Sequence, residues 1–380
     1  MPGVWKPFNI HSYTSSFDVD FLKREVGQRF PFYEMKDQGS ALVFYCRIDD
    51  LTRDEHFDML RKTLIAKGYI PLLRYEQGEH KIYVIEKPKK KYRPVWVNLL
   101  LLIATIITTT LAGAFQWASL YETELLAIFA PQYLLDGFLF FSIPLLSILG
   151  IHEMGHYLAS KRHHVDASLP FFIPLPPPFI LGTLGAFIST REPIPNRKAL
   201  LDIGVAGPLC GFCVAIPVSL LGLFFMQTQP ITVPVEPGSG IIIFYPLILQ
   251  VLDSLFSIQP DAIIHPTAFA GWVGFFITAL NLLPIGQLDG GHVSRALFRE
   301  KSKYVTWLTV LAIMALGMYV LLFTGYGGWL FFLIFILFMV GTRHPAPLNE
   351  LSDLDTNRRI IGIIALIVFV LCFAPIPIAG

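Results

Sequence analysis

The chain has 380 residues, of which 54% are hydrophobic and only 15% are charged. Soluble globular domains carry about 25% charged residues, so this composition favours a membrane protein over an ordinary soluble one. The net charge of +1 also argues against a general nucleic-acid-binding protein, which needs a basic surface.

The first part of the chain is polar and holds 17 of the 29 lysines and arginines within residues 1–93. Helical apolar spacing runs from Phe17 to Arg29, and Ala41–Ile48 is typical of a strand. A capping-box pattern opens a predicted helix from Thr52 to Lys67, and two short strands around Gln77-Gly78 predict a hairpin. We therefore predict a small soluble α+β domain with a basic linker over residues 1–93. It shows no catalytic constellation, so its expected role is regulation or interaction.

Long apolar runs follow, and about 20 residues are needed to cross the hydrocarbon core of a bilayer. The sequence predicts a polytopic α-helical membrane domain over residues 94–380. Its seven predicted spans cover residues 95–117, 133–158, 199–226, 267–284, 304–323, 327–342 and 360–378. The apolar stretch Ile241–Ile258 contains Pro246 and Asp253, so we expect it to be interfacial or half inserted.

Positive charges between these spans predict their orientation. The loops after spans 1, 3 and 5 contain neither lysine nor arginine, whereas every lysine and arginine lies in the first 93 residues or in the loops after spans 2, 4 and 6. Cytosolic loops carry the excess of positive charge. The chain is therefore predicted to have a cytosolic N-terminus and a C-terminus on the opposite side.

The second predicted span ends in His152-Glu153-Met154-Gly155-His156, an H-E-x-x-H pattern. Histidines at positions i and i+4 of a helix share a face, so both imidazoles can bind one ion. Glu153 can lean toward water on that ion and act as a general base. Ionisable groups within a membrane span are costly and mark functional sites. The alternative is that the span ends earlier and these residues are interfacial.

A catalytic zinc site takes three protein ligands and keeps one open position. Asp289 is the strongest candidate for the third ligand, because it precedes the first positive charge after span 4 by about as many residues as His156 precedes Lys161 after span 2. Both motifs are thus expected at similar depth on one side of the membrane. Asp202 and Asp253 are the rival candidates. Asp289 could instead only form an Asp-Gly turn.

Two motifs carry a resemblance to a known family. The H-E-M-G-H at 152–156 and the N-L-L-P-I-G-Q-L-D-G-G-H at 281–292 resemble those of the site-2 proteases, which are intramembrane metalloproteases. The resemblance implies a zinc ion bound by His152, His156 and Asp289, with Glu153 as base. It also implies that Asn281 positions or polarises the scissile carbonyl. The layout, without a PDZ-like segment between the motifs, is similar to the archaeal, cyanobacterial and plastid branch.

Two further stretches lie between these motifs. Residues 170–188 are apolar but rich in Pro and Gly, which predicts a re-entrant loop or hairpin beside the metal rather than a straight helix. An edge strand at 182–187 could bind an unwound substrate by strand addition; the alternative is a packed connector. Gly207 and Gly211 predict close packing of span 3 against span 2.

Together these features predict a zinc metalloendopeptidase that cuts single-span transmembrane substrates within the lipid bilayer. The lack of a long Ser- and Arg-rich leader favours a prokaryotic plasma membrane, and a homo-oligomer is compatible with the sequence. One alternative is a non-proteolytic metal-binding transporter or scaffold, which would need ionisable residues along several spans. Another is a membrane metallohydrolase for prenylated or lipid-linked substrates.

Overall fold

The computed structural model describes residues 17–88, 92–121, 125–231, 242–259, 262–325, 327–341 and 346–379. The chain divides into two compact units. Unit 1 consists of Met1–Lys91, Pro195–Arg197 and Pro347–Ser352, and unit 2 consists of Tyr92–Ile194, Lys198–Ala346 and Asp353–Gly380. The predicted assignment of residues 1–93 and 94–380 to a soluble and a membrane domain stays a prediction.

Unit 1 is an antiparallel sheet covered by two helices. The strands are paired in the order β1-β2-β4-β3. Its elements are α1 (Val19–Gly27), β1 (Phe32–Asp37), β2 (Leu42–Cys46), α2 (Arg53–Ala66), β3 (Tyr69–Glu76) and β4 (Glu79–Glu86). A small α+β domain was predicted here, and the sheet and helices confirm it. Gln77 and Gly78 both have positive φ, as the tight turn of the predicted hairpin requires.

Two details of unit 1 differ from the sequence prediction. Thr52 lies at the start of α2 but makes no side-chain capping hydrogen bond, so the predicted capping box is wrong. Strand β1 was not predicted. It is an edge strand whose side chains are exposed or half-buried, and it therefore lacks the apolar alternation that marks a half-buried strand.

A short downstream segment completes unit 1. Leu348 is buried in the same apolar cluster as residues of α1, α2 and the sheet. Its carbonyl accepts hydrogen bonds from the backbone N–H of Leu73 at 2.8 Å and from Arg74 Nη1 at 2.9 Å. We call Pro347–Ser352 the strap, since it lies along β3 with a parallel bridge between Leu73 and Asn349.

Unit 2 is built mainly of apolar helices. Its helices are α3 (Val95–Leu120), α4 (Pro131–Gly137), α5 (Ile143–Arg162), α6 (Arg197–Thr228), α7 (Leu247–Asp253), α8 (Pro266–Leu282), α9 (Asp289–Phe298), α10 (Ser302–Thr324), α11 (Gly328–Gly341) and α12 (Thr356–Cys372). Its strands are β5 (Phe171–Pro174), β6 (Thr183–Phe187), β7 (Ile242–Ile243) and β8 (Ile378–Ala379), and short 3₁₀ or π segments cover Leu125–Phe129, Phe138–Ser142 and Arg299–Lys301.

Four stretches of the described chain are helical, long and apolar enough to cross a membrane: Val95–Ser119, Pro131–Arg162, Arg197–Thr228 and Asp289–Phe323. They contain the predicted spans 1, 2, 3 and 5. Spans 4, 6 and 7 correspond to α8, α11 and α12, which have 17, 14 and 17 residues. Large apolar side chains of α10, such as Trp307, Leu311 and Leu322, are exposed, as expected of a surface that faces lipid. These helices indicate that the chain is a multi-pass membrane protein, with its membrane-crossing helices in unit 2.

The Pro- and Gly-rich stretch after α5 forms an antiparallel hairpin of β5 and β6. Its first strand contacts α3, and Asn98 of α3 donates hydrogen bonds to the carbonyls of Leu169 at 2.8 Å and Pro170 at 3.0 Å. Backbone groups that leave regular helix inside an apolar unit need such partners. The hairpin that was predicted for residues 170–188 is therefore present.

Candidate metal centre

Helix α5 places two imidazoles on one face. His152 and His156 are one turn apart, and their Nε2 atoms lie 3.2 Å from each other. Both side chains are almost fully buried, with 3% and 6% of their surfaces exposed. Burying a polar group without a partner costs free energy. The two imidazoles are therefore expected to share a binding partner.

Asp289 supplies a third group from another helix. It is the first residue of α9, and its Oδ2 lies 3.4 Å from His152 Nε2 and 3.2 Å from His156 Nε2. Within the described residues, His152, His156 and Asp289 form the group of His, Cys, Asp or Glu side chains that could hold a metal ion. The structure thus brings together the three ligands that the sequence predicted.

The spacing of the three atoms fits zinc. Zinc binds histidine nitrogens and carboxylate oxygens at about 2.0–2.2 Å in tetrahedral sites. Two ligand atoms at tetrahedral angles then lie about 3.3 Å apart. The three distances here are 3.2, 3.4 and 3.2 Å. Three atoms so spaced would fit a zinc ion as three of its four ligands.

Glu153, the predicted base, follows His152 on α5 and is also buried, with 7% of its surface exposed. The backbone of Ile188, the residue that follows β6, acts electrostatically on its carboxylate. The end of the hairpin therefore lies near the predicted general base. Sequence reasoning missed this proximity, because a backbone group leaves no mark in the residue pattern.

Asn281, which the resemblance implied as a substrate-positioning residue, lies in the last turn of α8. Its Nδ2 is 3.3 Å from His152 Nε2, so its amide borders the three candidate ligands. An amide at this place can donate a hydrogen bond to a carbonyl group bound in the site.

Helix α6 lies against the outer side of the imidazoles. The Nδ1 atom of His156 donates a hydrogen bond to the carbonyl of Ile203 at 2.7 Å, which leaves Nε2 free to bind a metal. A Cβ atom at Gly207 would lie 2.1 Å from His156 Nε2, and one at Gly211 would lie 3.0 Å from His152 Nδ1. The two glycines do pack span 3 against span 2, as predicted. Their contacts with the histidines were not predicted.

The two rival aspartates do not join this group. Asp202 lies in α6 and forms an ion pair with Arg358 and a hydrogen bond with His163. Asp253 is the last residue of the short helix α7. The location of Asp202 in the first turns of α6 suggested helix capping from sequence, but its partners are Arg358 of α12 and His163, which directly follows α5.

These features define a multi-pass membrane protein with a buried site of the metallohydrolase type. Residues 140–325 match the family model described as Peptidase family M50. This segment therefore carries the domain of this family, the site-2 proteases, as the two motifs predicted. No solved structure matches the chain.

Several plant proteins are similar to this chain. A protein of Oryza sativa subsp. japonica named "Probable zinc metalloprotease EGY1, chloroplastic" is 29% identical over 300 residues, which cover 74% of this chain and 50% of the relative. Its Arabidopsis thaliana namesake is 32% identical over 269 residues, covering 67% and 47%. The Arabidopsis thaliana "Probable zinc metalloprotease EGY2, chloroplastic" is 27% identical over 265 residues, covering 68% and 45%. The chain thus spans about half the length of these curated relatives.

Proposed function

We propose that the chain is a zinc metalloprotease that hydrolyses peptide bonds of transmembrane segments within the bilayer. The observation that carries this proposal is the tetrahedral spacing of His152 Nε2, His156 Nε2 and Asp289 Oδ2 inside an apolar helical unit. The match of residues 140–325 to peptidase family M50 and the similarity to proteins named zinc metalloproteases support it.

The proposed ligands are His152, His156 and Asp289. A zinc ion held by these residues would supply Lewis acidity and make water reactive near neutral pH. Glu153 takes a proton from the attacking water and delivers it to the leaving amine as the C–N bond breaks. The backbone of Ile188, at the end of β6, lies near the Glu153 carboxylate. Asn281 donates to the scissile carbonyl and stabilises the charge that develops on its oxygen.

The proposed substrates are single-span membrane proteins. A helical substrate hides its peptide bonds, so it must be extended before attack. In the described sheet of two strands, β6 pairs with β5 along one edge only. Leu184 and Phe187 of β6 are largely exposed, with 68% and 48% of their surfaces accessible. We therefore propose that β6 binds the unwound substrate by strand addition.

The proposed topology has seven spans and a cytosolic N-terminus, on the strength of the one-sided distribution of lysine and arginine. The named relatives are described as chloroplastic, so the comparisons do not support the expected prokaryotic plasma membrane. A homo-oligomer stays an untested prediction.

One experiment tests the proposed activity. Purified protein is incubated with a single-span peptide, with and without a zinc chelator, and the cut is mapped by mass. We expect a chelator-sensitive cut within the apolar stretch. Glu153→Gln should lower the cleavage rate by about 10²- to 10⁴-fold, the usual contribution of a general base, with unchanged zinc content.

Met154→Leu serves as the matched control, because it changes a neighbour of Glu153 with little change in volume. Its cleavage rate should stay close to that of the unchanged protein. Full activity in Glu153→Gln would eliminate this mechanism. A preparation that binds zinc but cuts no membrane peptide would favour a non-proteolytic metal-binding role instead.

A further inference from the structure

A cluster of charged and polar side chains joins α6, α12 and the end of α5, close to the candidate metal centre. The Asp202 carboxylate accepts hydrogen bonds from Arg358 Nε at 2.9 Å and from Arg358 Nη2 at 2.7 Å. His163 Nε2 lies 2.8 Å from the same carboxylate. Arg358 also pairs with Asp355, which caps the N-terminus of α12. The mechanism proposed above uses none of these residues.

Two members of this cluster lie on or directly after helices that border the site. His163 follows the last turn of α5, Asp202 lies in the second turn of α6, and Arg358 lies in the first turn of α12. Helix α5 carries the two candidate histidine ligands. A change in the height or rotation of α6 against α5 would therefore move both the cluster and the site.

The cluster and the site are connected through two adjacent residues of α6. Asp202 is followed by Ile203, whose carbonyl accepts the hydrogen bond from His156 Nδ1 at 2.7 Å. Such outer partners fix the orientation and tautomer of a metal-binding histidine, and their loss commonly lowers metal affinity. The position of α6 along its axis thus determines whether the Ile203 carbonyl can accept the hydrogen bond from His156 Nδ1.

We propose that Asp202, Arg358 and His163 are positioning residues that hold the Ile203 carbonyl against His156. The guanidinium group of Arg358 binds the carboxylate through two parallel hydrogen bonds, which fixes both distance and angle. The side chains of Asp202 and Arg358 are 22% and 26% exposed. The pair is therefore largely buried, and its two-point geometry holds α6 in a fixed position against α12.

This inference rests on the proposed zinc site, and its test measures metal binding separately from cleavage. Zinc affinity is measured by competition with a chelator for the unchanged protein and for Asp202→Asn and Arg358→Gln. We expect affinity to fall by about 10- to 100-fold, the usual effect of losing an outer partner. The cobalt-substituted variants should also show an altered visible spectrum, because the ligand geometry changes.

Arg359→Gln is the matched control. Arg359 neighbours Arg358 on α12 and is exposed, so its loss removes the same charge without touching Asp202. Zinc affinity of this variant should equal that of the unchanged protein. In cleavage assays, Arg358→Gln should lower kcat while KM stays within about twofold, since the substrate-binding residues are unchanged.

If Asp202→Asn and Arg358→Gln do not fold, Arg358→Lys tests the inference instead. It keeps the positive charge but loses the planar fork, so zinc affinity should still fall, by about threefold or more. Variants with normal zinc affinity and a normal cobalt spectrum would overturn the inference, even if they were less stable. Failure of the unchanged protein to bind zinc would instead overturn the proposed function.

Discussion

Gly207 lets the backbone of α6 approach His156. The three atoms nearest to a Cβ at this position all belong to the His156 imidazole, at 2.1, 2.4 and 2.6 Å. An added methyl group would therefore collide first with the imidazole, because no backbone atom lies closer to it than the ring does. We expect Gly207→Ala to keep the fold and to lower zinc content and cleavage by at least about 100-fold, as one of three ligands is lost. Metal analysis of the purified variant and the peptide-cleavage assay check this.

Cys213→Ala is the control for that prediction. Cys213 lies on the same helix and is exposed, so its truncation should change neither zinc content nor cleavage. A Gly207→Ala protein with full zinc content would show that α6 can shift away from the histidine at no cost. The close approach would then be irrelevant to metal binding.

At the scale of residues, local periodicity predicts part of the site. The i, i+4 spacing of His152 and His156 follows from helix geometry alone. Asp289 is further away in sequence, and only its distance from the nearest positive charge indicates a similar depth in the membrane. The pairing of Asp202 with Arg358 is not predictable in this way. The two residues are 156 positions apart in the sequence. No local pattern indicates which charged residues pair across so long a sequence separation.

At the scale of elements, the hairpin of β5 and β6 depends on a backbone conformation that few residues adopt. Gly185 has a φ of +98°, which proline cannot adopt because its ring fixes φ near −65°. Gly185→Pro should therefore distort β6 and lower the cleavage rate by at least about tenfold, while zinc content stays intact because no candidate ligand lies on the hairpin. Metal analysis and the peptide assay measure the two effects separately.

Phe179→Ala is the control for the hairpin, since Phe179 is exposed and lies between the two strands. It should cleave the peptide at a normal rate. Unchanged cleavage by Gly185→Pro would argue against a role for β6 in substrate binding. The hairpin would then be a packed connector, the alternative that the sequence left open.

The apolar helices are the elements that the sequence predicts best. The predicted spans 199–226 and 304–323 correspond to α6 (Arg197–Thr228) and α10 (Ser302–Thr324). Long apolar runs have few alternative structures in a membrane. The number of spans does not follow from sequence alone, because α11 and α12 have only 14 and 17 residues. At such lengths, tilt and neighbouring helices decide whether a helix crosses.

At the scale of the whole molecule, unit 1 is not made of the first residues alone. Strap residues bind it through several polar contacts: Asn349 Nδ2 donates to Asp54 Oδ1 at 2.9 Å, and Arg53 Nη2 donates to the carbonyl of Leu351 at 3.1 Å. The sequence boundary at residue 93 cannot reveal this, since the strap lies in a loop between apolar helices. Its apolar residue Leu348 completes a core that the sheet and helices leave open.

Leu348→Ala should therefore destabilise unit 1. Leu348 is 1% exposed, and removing a buried leucine side chain costs about 2–5 kcal/mol of the free energy of unfolding.

Cys46 in the same core reports this loss of stability, because burial raises the pKa of its thiol to about 12 and only the thiolate reacts with alkylating agents. At about pH 8, transient opening should expose a thiol of ordinary pKa and raise Cys46 labelling by about 30-fold or more. Peptide mass mapping measures this. Leu51→Ala, at a site that is 93% exposed, is the control, and equal labelling of the two variants would show that the strap does not stabilise unit 1.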